Sequence, residues 1–169
     1  MILIKQDDPL LHRASQAVND EMLSENGAAL KPIASMLLKC INEHDALGIS
    51  ACQIGIDLSI FAMNASGRPR ICANPQIVAA SAEMSRAEEG CLSYPGMALR
   101  VNRPSEVVVR YHDVDGNEVT EHLEGIDARV WLHEYDHTIG ICFVDRVGKV
   151  SLDMAKRRMK KTMKRRNKG

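Results

Sequence analysis

The sequence contains no hydrophobic run long enough to span a bilayer. A transmembrane helix needs about 18 consecutive apolar residues, and charged or polar residues interrupt every apolar stretch of this chain. The first residues also lack the charged, apolar and small-residue regions of a secretory leader. Internal repeats and long linkers are absent as well. We therefore expect a soluble protein that acts in the cytoplasm.

A disulfide framework is also missing. The five cysteines form an odd number without regular spacing, whereas small secreted domains carry an even number at framework spacings. Unpaired thiols persist in reducing compartments, which supports the cytoplasmic expectation. The five are Cys40, Cys52, Cys72, Cys91 and Cys142.

The chain has no excess charge of either sign, because 22 basic residues balance 22 acidic ones. Their distribution is uneven, however. Nine of the basic residues lie in the last segment, so the body of the chain is acidic and its tail is basic. The length of 169 residues and the 45% hydrophobic content predict a single domain with a real core.

Hydrophobic periodicity predicts a helix followed by a block of strands. In residues 27–44 the apolar residues recur at helical spacing, which indicates an amphipathic helix with one core-facing stripe. Asp115 and Gly116 supply a tight turn between two later apolar segments, which indicates a hairpin. We expect an α+β fold with mostly antiparallel sheets, ending in one further strand at residues 141–147 and a C-terminal helix. The other predicted strands are residues 59–65, 71–80, 106–113 and 117–125.

The segment IDARVWLHEYDHTIG predicts a buried helix that carries ionisable side chains. Asp127 can cap its start and Gly140 can end it, and its apolar residues spread around much of the circumference, as in a central helix. His133 and His137 are four residues apart, so both can reach one cation, and Glu134 can reach a water molecule beside it. Such a cation would explain why ionisable groups are buried. The alternative is two core histidines and a surface glutamate.

A catalytic zinc-type site needs a third protein ligand and one open position. One familiar choice lies six residues after the second histidine, where this chain has Phe143, and another is a later glutamate, but no Glu follows Glu134. Cys91 stands out among the remaining candidates, because it lies in EEGCLSYPG, where glycine lets the backbone approach a ligand closely. The alternative is that Cys91 fills space in the core, as we expect for most of the other cysteines.

Three segments together resemble the signature motifs of the peptide deformylases. ALGISACQ, EGCLS and HEYDH match the first, second and third motifs, in family order and at family-like separations. The resemblance extends over the whole chain. It implies a peptide deformylase-like fold, with a catalytic domain at residues 1–150 and a basic helix or tail of the same domain at residues 151–169. The implied reaction removes the formyl group from the N-terminal formyl-methionine of nascent polypeptides and releases formate.

The resemblance also implies which residues bind the metal and transfer protons. Cys91, His133 and His137 would be the metal ligands. The implied metal is ferrous iron, although the same donors would also bind Zn²⁺, Ni²⁺ or Co²⁺. Glu134 would take a proton from the attacking water and later deliver it to the departing amine.

The same comparison implies residues that contact the substrate. Gln53 and the backbone N–H of Leu92 would face the formyl oxygen and stabilise the developing oxyanion. Leu47, Gly48 and Val130 would line an apolar pocket for a methionine side chain. Ordinary core packing is the alternative role of these three residues.

Two further features complete the resemblance. Asp136 and Arg103 correspond to a pair that would support the metal-binding helix from behind, which we treat as a hypothesis. Several positions depart from the family motifs without removing a metal ligand or an acid–base group. They are Ala46, Ser50, Cys52 and Leu132, followed by Thr138 and Ile139.

Other functions remain open from the sequence alone. The chain could be a related metallohydrolase with a different amide substrate, or a non-catalytic peptide-binding relative. Glu134 and Gln53 argue against the second, because a binding protein needs neither. The basic tail predicts contact with the ribosome surface, since clustered Lys and Arg bind RNA phosphates through counterion release, whereas a solvated face is the alternative. We expect neither a membrane partner nor sequence-specific nucleic-acid recognition.

Overall fold

The computed structural model of the protein describes residues 3–166 and has an α+β fold. A five-stranded antiparallel sheet has the order β1-β2-β3-β6-β7, and β4 and β5 form a second, two-stranded antiparallel sheet. This confirms the predicted fold class. The strands are β1 Gly48–Ser50, β2 Ile60–Met63, β3 Arg70–Ala80, β4 Met84–Gly90, β5 Ala98–Pro104, β6 Glu106–His112 and β7 Glu118–Glu124. The helices are α1 Asp20–Gly27, α2 Leu30–His44, α3 Gly125–Thr138 and α4 Lys149–Arg166.

The hairpin predicted around Asp115 is formed by β6 and β7. Val107 pairs with Leu123 in antiparallel register, and both are buried. The Asp113 carboxylate closes the turn by accepting hydrogen bonds from the backbone N–H groups of Asp115 and Asn117, each at 2.9 Å. Alternating burial along β6 places Val107, Val109 and Tyr111 on the core face, as the pattern of period two requires.

The predicted helix at residues 27–44 begins later than expected, at Leu30. Gly27 ends the separate helix α1 with a left-handed φ of 65°, a conformation that glycine adopts without steric cost. A Cβ at this position would lie only 1.8 Å from the carbonyl oxygen of Val114. The chain therefore turns at Gly27, and the core-facing stripe of α2 starts after it, with Leu30, Leu37 and Ile41 buried.

Helix α3 is central and buried, as its apolar circumference predicted. Ten of its 14 residues are buried, and it packs against β1, β2, β5, β6 and β7. The predicted cap was wrong, because the helix begins at Gly125 and not after Asp127. The Asp127 carboxylate instead accepts a hydrogen bond from the Ser66 hydroxyl at 2.7 Å and pairs with Arg70 at 3.3 Å.

The strand predicted at residues 141–147 is also wrong, because Phe143–Arg146 form a 3₁₀ helix. The Asp145 carboxylate accepts the backbone N–H of Cys142 at 2.9 Å, and the Asp145 N–H donates to the Cys142 carbonyl. These local bonds hold the segment in a single 3₁₀ turn. The pair β4 and β5 was not predicted, because β4 is mostly exposed and polar.

Helix α4 begins two residues before the predicted start at residue 151. Its residues Leu152, Ala155 and Met159 pack against the core cluster that also contains β5 residues Leu99 and Val101. Residues 167–169 of the predicted tail lie outside the described part of the chain, and the division at residue 150 stays a prediction. None of the helices described within residues 3–166 has the length and apolarity needed to cross a membrane.

Candidate metal centre

The three predicted metal ligands lie together in the structure. Cys91 directly follows β4, whereas His133 and His137 lie on α3, and one donor atom from each falls within 4.8 Å of the others. The Cys91 Sγ is 3.4 Å from the His137 Nε2, and the two imidazole rings are 5.2 Å apart between centroids. Metal–ligand bonds of about 2.0–2.3 Å need donors roughly 3–4 Å apart, so this set fits a single cation.

The Glu89 carboxylate orients the first histidine. Its Oε2 lies 2.9 Å from the His133 Nδ1, which leaves the Nε2 of that ring for a metal. Hydrogen bonds from Arg103 Nε at 2.7 Å and Arg129 Nη1 at 2.7 Å reach Glu89 Oε1. Burial raises the pKa of Glu89, but the hydrogen bonds with His133 and Arg103 outweigh it and bring the pKa to about 2. Glu89 is therefore a buried carboxylate throughout the physiological pH range.

The second histidine is held in its neutral form. His137 is fully buried, and burial, together with the neighbouring His133, holds the pKa of His137 well below its usual value. Neutral imidazole is the form that binds a metal. The Cys142 Sγ lies 4.0 Å from the Nδ1 of His137. The Cys52 thiol donates towards the main-chain oxygen of His137 at 3.8 Å.

The expected pair behind the metal helix is present. Arg103 Nη1 lies 2.8 Å from Asp136 Oδ2, and both side chains are buried. Because the other edge of the same guanidinium binds Glu89, Arg103 connects strand β4 to helix α3. Arg146 is a second partner of Asp136, and its Nε donates to Asp136 Oδ2 at 2.9 Å. Groups that hold the partners of metal-binding residues in this way help to fix the orientation of those residues.

Glu134 lies at the cavity beside the predicted ligands. It is only 4% exposed, and it lines the same cavity as Cys91 and His133. Burial raises the pKa of Glu134 to about 7. A carboxyl group with a pKa near the operating pH is well suited to take up and release a proton.

Gln53 and Leu92 also lie at this cavity. Gln53 belongs to a 3₁₀ helix, Ala51–Ile54, that directly follows β1. Its Nε2 is 3.3 Å from the Cys91 Sγ and 3.3 Å from the Ser93 Oγ, so the amide group faces the ligand cluster. Leu92 follows the predicted ligand Cys91 in the chain.

The cavity has a volume of about 440 Å³, and all three residues predicted to bind substrate line it. Leu47 is 46% exposed and Val130 is 8% exposed, so the two present apolar surface at different depths. A Cβ at Gly48 would lie 2.7 Å from Glu134 Oε1 and 2.9 Å from Val130 Cγ1. Any side chain at Gly48 would therefore occupy the cavity.

Several residues at the site had no predicted role. Glu89 was visible in the EGCLS motif, near the end of β4 and two residues before Cys91. Arg129 and Ile126 lie one helical turn before His133 and Val130 respectively, and both line the cavity. Their spacing of four residues from His133 and Val130 was the sequence signal that could have placed them at the site. Nothing in local sequence indicated that Arg129 binds Glu89.

Comparison with known proteins gives a consistent result. The family model described as "Polypeptide deformylase" matches residues 1–153. The chain is 37% identical over 140 residues to the peptide deformylase of Thermotoga neapolitana, covering 83% of this chain and 82% of that protein. It is 40% identical over 138 residues to the peptide deformylase of Treponema pallidum strain Nichols, covering 82% and 85%.

Solved structures agree with these relatives. A complex of Plasmodium falciparum peptide deformylase with an inhibitor superposes with a TM-score of 0.82 at 32% identity, covering 96% of this chain and 99% of that one. Peptide deformylase from Thermotoga maritima superposes with a TM-score of 0.80 at 33% identity, covering 87% and 97%. The similarity therefore covers most of the chain, including helix α3 with His133 and His137.

Proposed function

The chain belongs to the polypeptide deformylase family, whose members remove N-terminal formyl groups, and we propose that Cys91, His133 and His137 hold its catalytic metal. The chain is accordingly a metal-dependent hydrolase of formylated polypeptides. The observation that carries the ligand assignment is the convergence of one thiol and two imidazoles within 4.8 Å. The Glu89 carboxylate on His133 Nδ1 supports it, because it directs Nε2 towards the same point.

The proposed native metal is Fe²⁺, with Zn²⁺, Ni²⁺ or Co²⁺ as substitutes. One thiolate and two imidazoles form a donor set of intermediate softness that accepts all four ions. When bound, such an ion supplies Lewis acidity, which polarises a carbonyl group and makes water more acidic. Three protein ligands leave a coordination position open, as catalytic sites require.

Glu134 is proposed to move the proton. Its carboxylate takes a proton from water as the water oxygen bonds to the formyl carbon. The same proton then passes to the nitrogen as the carbon–nitrogen bond breaks, which yields formate and a free amine. The location of Glu134 in the cavity and its pKa near 7 support this assignment.

Gln53 Nε2 and the backbone N–H of Leu92 are proposed to bind the formyl oxygen. Donors aimed at a developing oxyanion each contribute about 3–4 kcal/mol to the barrier reduction. The apolar surface of Leu47 and Val130, with the space left by Gly48, is proposed to receive a methionine side chain. The formylated N-terminus would then lie between Gln53 and Glu134, which line the same cavity.

A test combines metal analysis with turnover of formyl-Met-Ala-Ser, using protein prepared anaerobically. We expect Cys91→Ala to lose its metal together with its activity. Glu134→Ala should keep the metal and lose turnover by about 10²-fold or more, since acid–base groups contribute factors of this size. A Cys91→Ala protein that retains stoichiometric metal and activity would contradict the ligand assignment.

The surface of α4 is proposed to contact ribosomal RNA. Lys156, Arg157, Lys160 and Lys161 are exposed, whereas Ala155 of the same helix is buried. Charge reversal to Glu at these four positions should weaken cosedimentation with ribosomes, with a smaller salt dependence. Exchanging Lys and Arg at the same positions is the matched control, and it should bind as the natural sequence does. Equal binding by the charge-reversed protein would rule out this contact, and activity on short peptides should be the same in all three proteins.

The five thiols are unpaired, which supports the proposed cytoplasmic location because disulfides are rare in reducing compartments.

A further inference from the structure

A buried serine hydroxyl contacts the carboxylate of Glu134. Ser50 is the last residue of β1 and is 1% exposed. Its Oγ lies 2.9 Å from Glu134 Oε2 and 3.0 Å from the main-chain oxygen of Glu134. The two residues are 84 positions apart in the chain. The contact therefore exists only because β1 packs against α3.

The other parts of the same strand also restrict the site. The backbone at Gly48 lies so near Glu134 that a Cβ there would be 2.7 Å from Oε1 and 2.9 Å from Cγ. The Ser50 backbone N–H donates to Gln53 Oε1 at 2.9 Å. Ser50 thus contacts both Glu134 and Gln53, which are the proposed proton carrier and oxyanion donor.

The hydroxyl group matches both protonation states of Glu134. It has one hydrogen to donate and two lone pairs that can accept. When Glu134 is a carboxylate, the Ser50 hydrogen can point to Oε2. When Glu134 carries a proton on Oε2, the Ser50 hydrogen can turn to the main-chain oxygen of Glu134, and Oγ accepts from Oε2. Both acceptors lie within 3.0 Å of Oγ, so only the hydroxyl hydrogen has to rotate.

We propose that Ser50 is a positioning residue, whose hydroxyl group fixes the orientation of the Glu134 carboxyl group beside the cavity. This inference rests on the proposed acid–base role of Glu134. The methyl side chain of an alanine at this position could make neither hydrogen bond. Ser50 therefore acts through Glu134 and does not itself touch the substrate.

The test is a double-mutant cycle on the metal-loaded full chain, with kcat, KM and metal content measured for formyl-Met-Ala-Ser. Ser50→Ala should lower kcat by about tenfold, a part of the 10²–10⁴-fold that acid–base catalysis contributes, without changing KM or metal content. Ser50→Thr keeps the hydroxyl and should restore most of kcat. In a Glu134→Gln background, Ser50→Ala should have almost no further effect, because effects of coupled residues are not additive. Ser81→Ala is the matched control. Its hydroxyl also makes two hydrogen bonds, but at the turn between β3 and β4, and kcat should not change.

Three results would overturn the proposal: unchanged kcat in Ser50→Ala, equal losses in the alanine and threonine variants, or an additive loss in the Glu134→Gln background. If the alanine variant does not fold, Ser50→Thr and Ser50→Val provide an isosteric pair, and equal kcat values in the two would overturn it as well. Wild-type turnover by Glu134→Gln would instead refute the proposed role of Glu134. If Glu134→Gln loses turnover but Ser50→Ala in the otherwise natural sequence keeps its kcat, only the role of Ser50 is refuted.

Discussion

Replacing Arg103 by alanine should destabilise the protein and weaken metal binding at the same time. The guanidinium is buried between two buried carboxylates, with side-chain exposures of 4% for Arg103, 5% for Glu89 and 2% for Asp136. Removing one partner of a buried ion pair typically costs about 3–5 kcal/mol, because the remaining charge is left uncompensated. Here Arg129 still binds Glu89 and Arg146 still binds Asp136. We therefore expect the lower end of that range, about 3 kcal/mol.

Two measurements separate stability from metal affinity. A loss of about 3 kcal/mol should lower Tm by about 6–12 °C in a domain of this size, and urea denaturation of the metal-free protein gives the free energy without the contribution of metal binding. Competition with a chelator measures the metal Kd, which should rise about 10- to 100-fold, because loss of groups that orient metal ligands has effects of this size.

Arg70→Ala is the matched control for Arg103→Ala. Arg70 also binds a carboxylate through two nitrogens, at Glu121, and it contacts Asp127 near the start of α3. The Arg70→Ala variant should have a lower free energy of unfolding but an unchanged metal Kd. The reasoning would be refuted if Arg103→Ala had an unchanged free energy of unfolding and an unchanged Kd. It would also be refuted if both arginine variants weakened metal binding equally, since the effect would then be a general loss of stability.

Three further changes test the cavity and its thiols. Gly48→Ala should lower kcat/KM by at least about tenfold while the protein remains folded. The reason is that its Cβ would meet Glu134 Oε1 at 2.7 Å, and overpacking costs about 1–3 kcal/mol. A near-normal kcat/KM would show that the carboxylate can move aside. Gln53→Ala should reduce kcat by about 10²–10³-fold at unchanged metal content, and a loss confined to KM would contradict the oxyanion role. Chelator treatment should make Cys91 reactive towards iodoacetamide. Cys72 should stay unlabelled, because burial raises the pKa of its thiol well above the usual value. Equal labelling of both thiols in mass spectrometry would refute this.

Sequence reasoning succeeded where the relevant pattern is local. Helical periodicity identified α2 and the buried helix α3, and a turn dipeptide between alternating strands identified the β6–β7 hairpin. The spacing of four between His133 and His137 is likewise a local property, since residues four apart share one face of any α-helix. The glycine-flanked segment indicated Cys91 as a candidate ligand, and resemblance to three family motifs then added Gln53 and Leu92. All three residues line the same cavity.

The errors came from segments whose local signal is ambiguous. The apolar run at residues 141–147 fits a strand by composition, but the Asp145 carboxylate closes it into a 3₁₀ turn. Strand β4 is polar and mostly exposed, so it has no hydrophobic alternation, and its pairing with β5 is what makes it a strand. Asp127 resembled a helix cap, but its carboxylate binds Ser66 and Arg70 across the fold.

What the sequence by itself determined is the set of chemical groups: two histidines and a glutamate on one buried helix, and a cysteine beside glycine on another segment. Only the tertiary structure decided which groups support them. Glu89, Arg103 and Asp136 form one buried network across β4, β5 and α3, and Ser50 reaches Glu134 across 84 residues of chain. The physical reason is that helix and turn patterns depend on neighbours along the chain, whereas a buried hydrogen bond depends on which distant strands pack together.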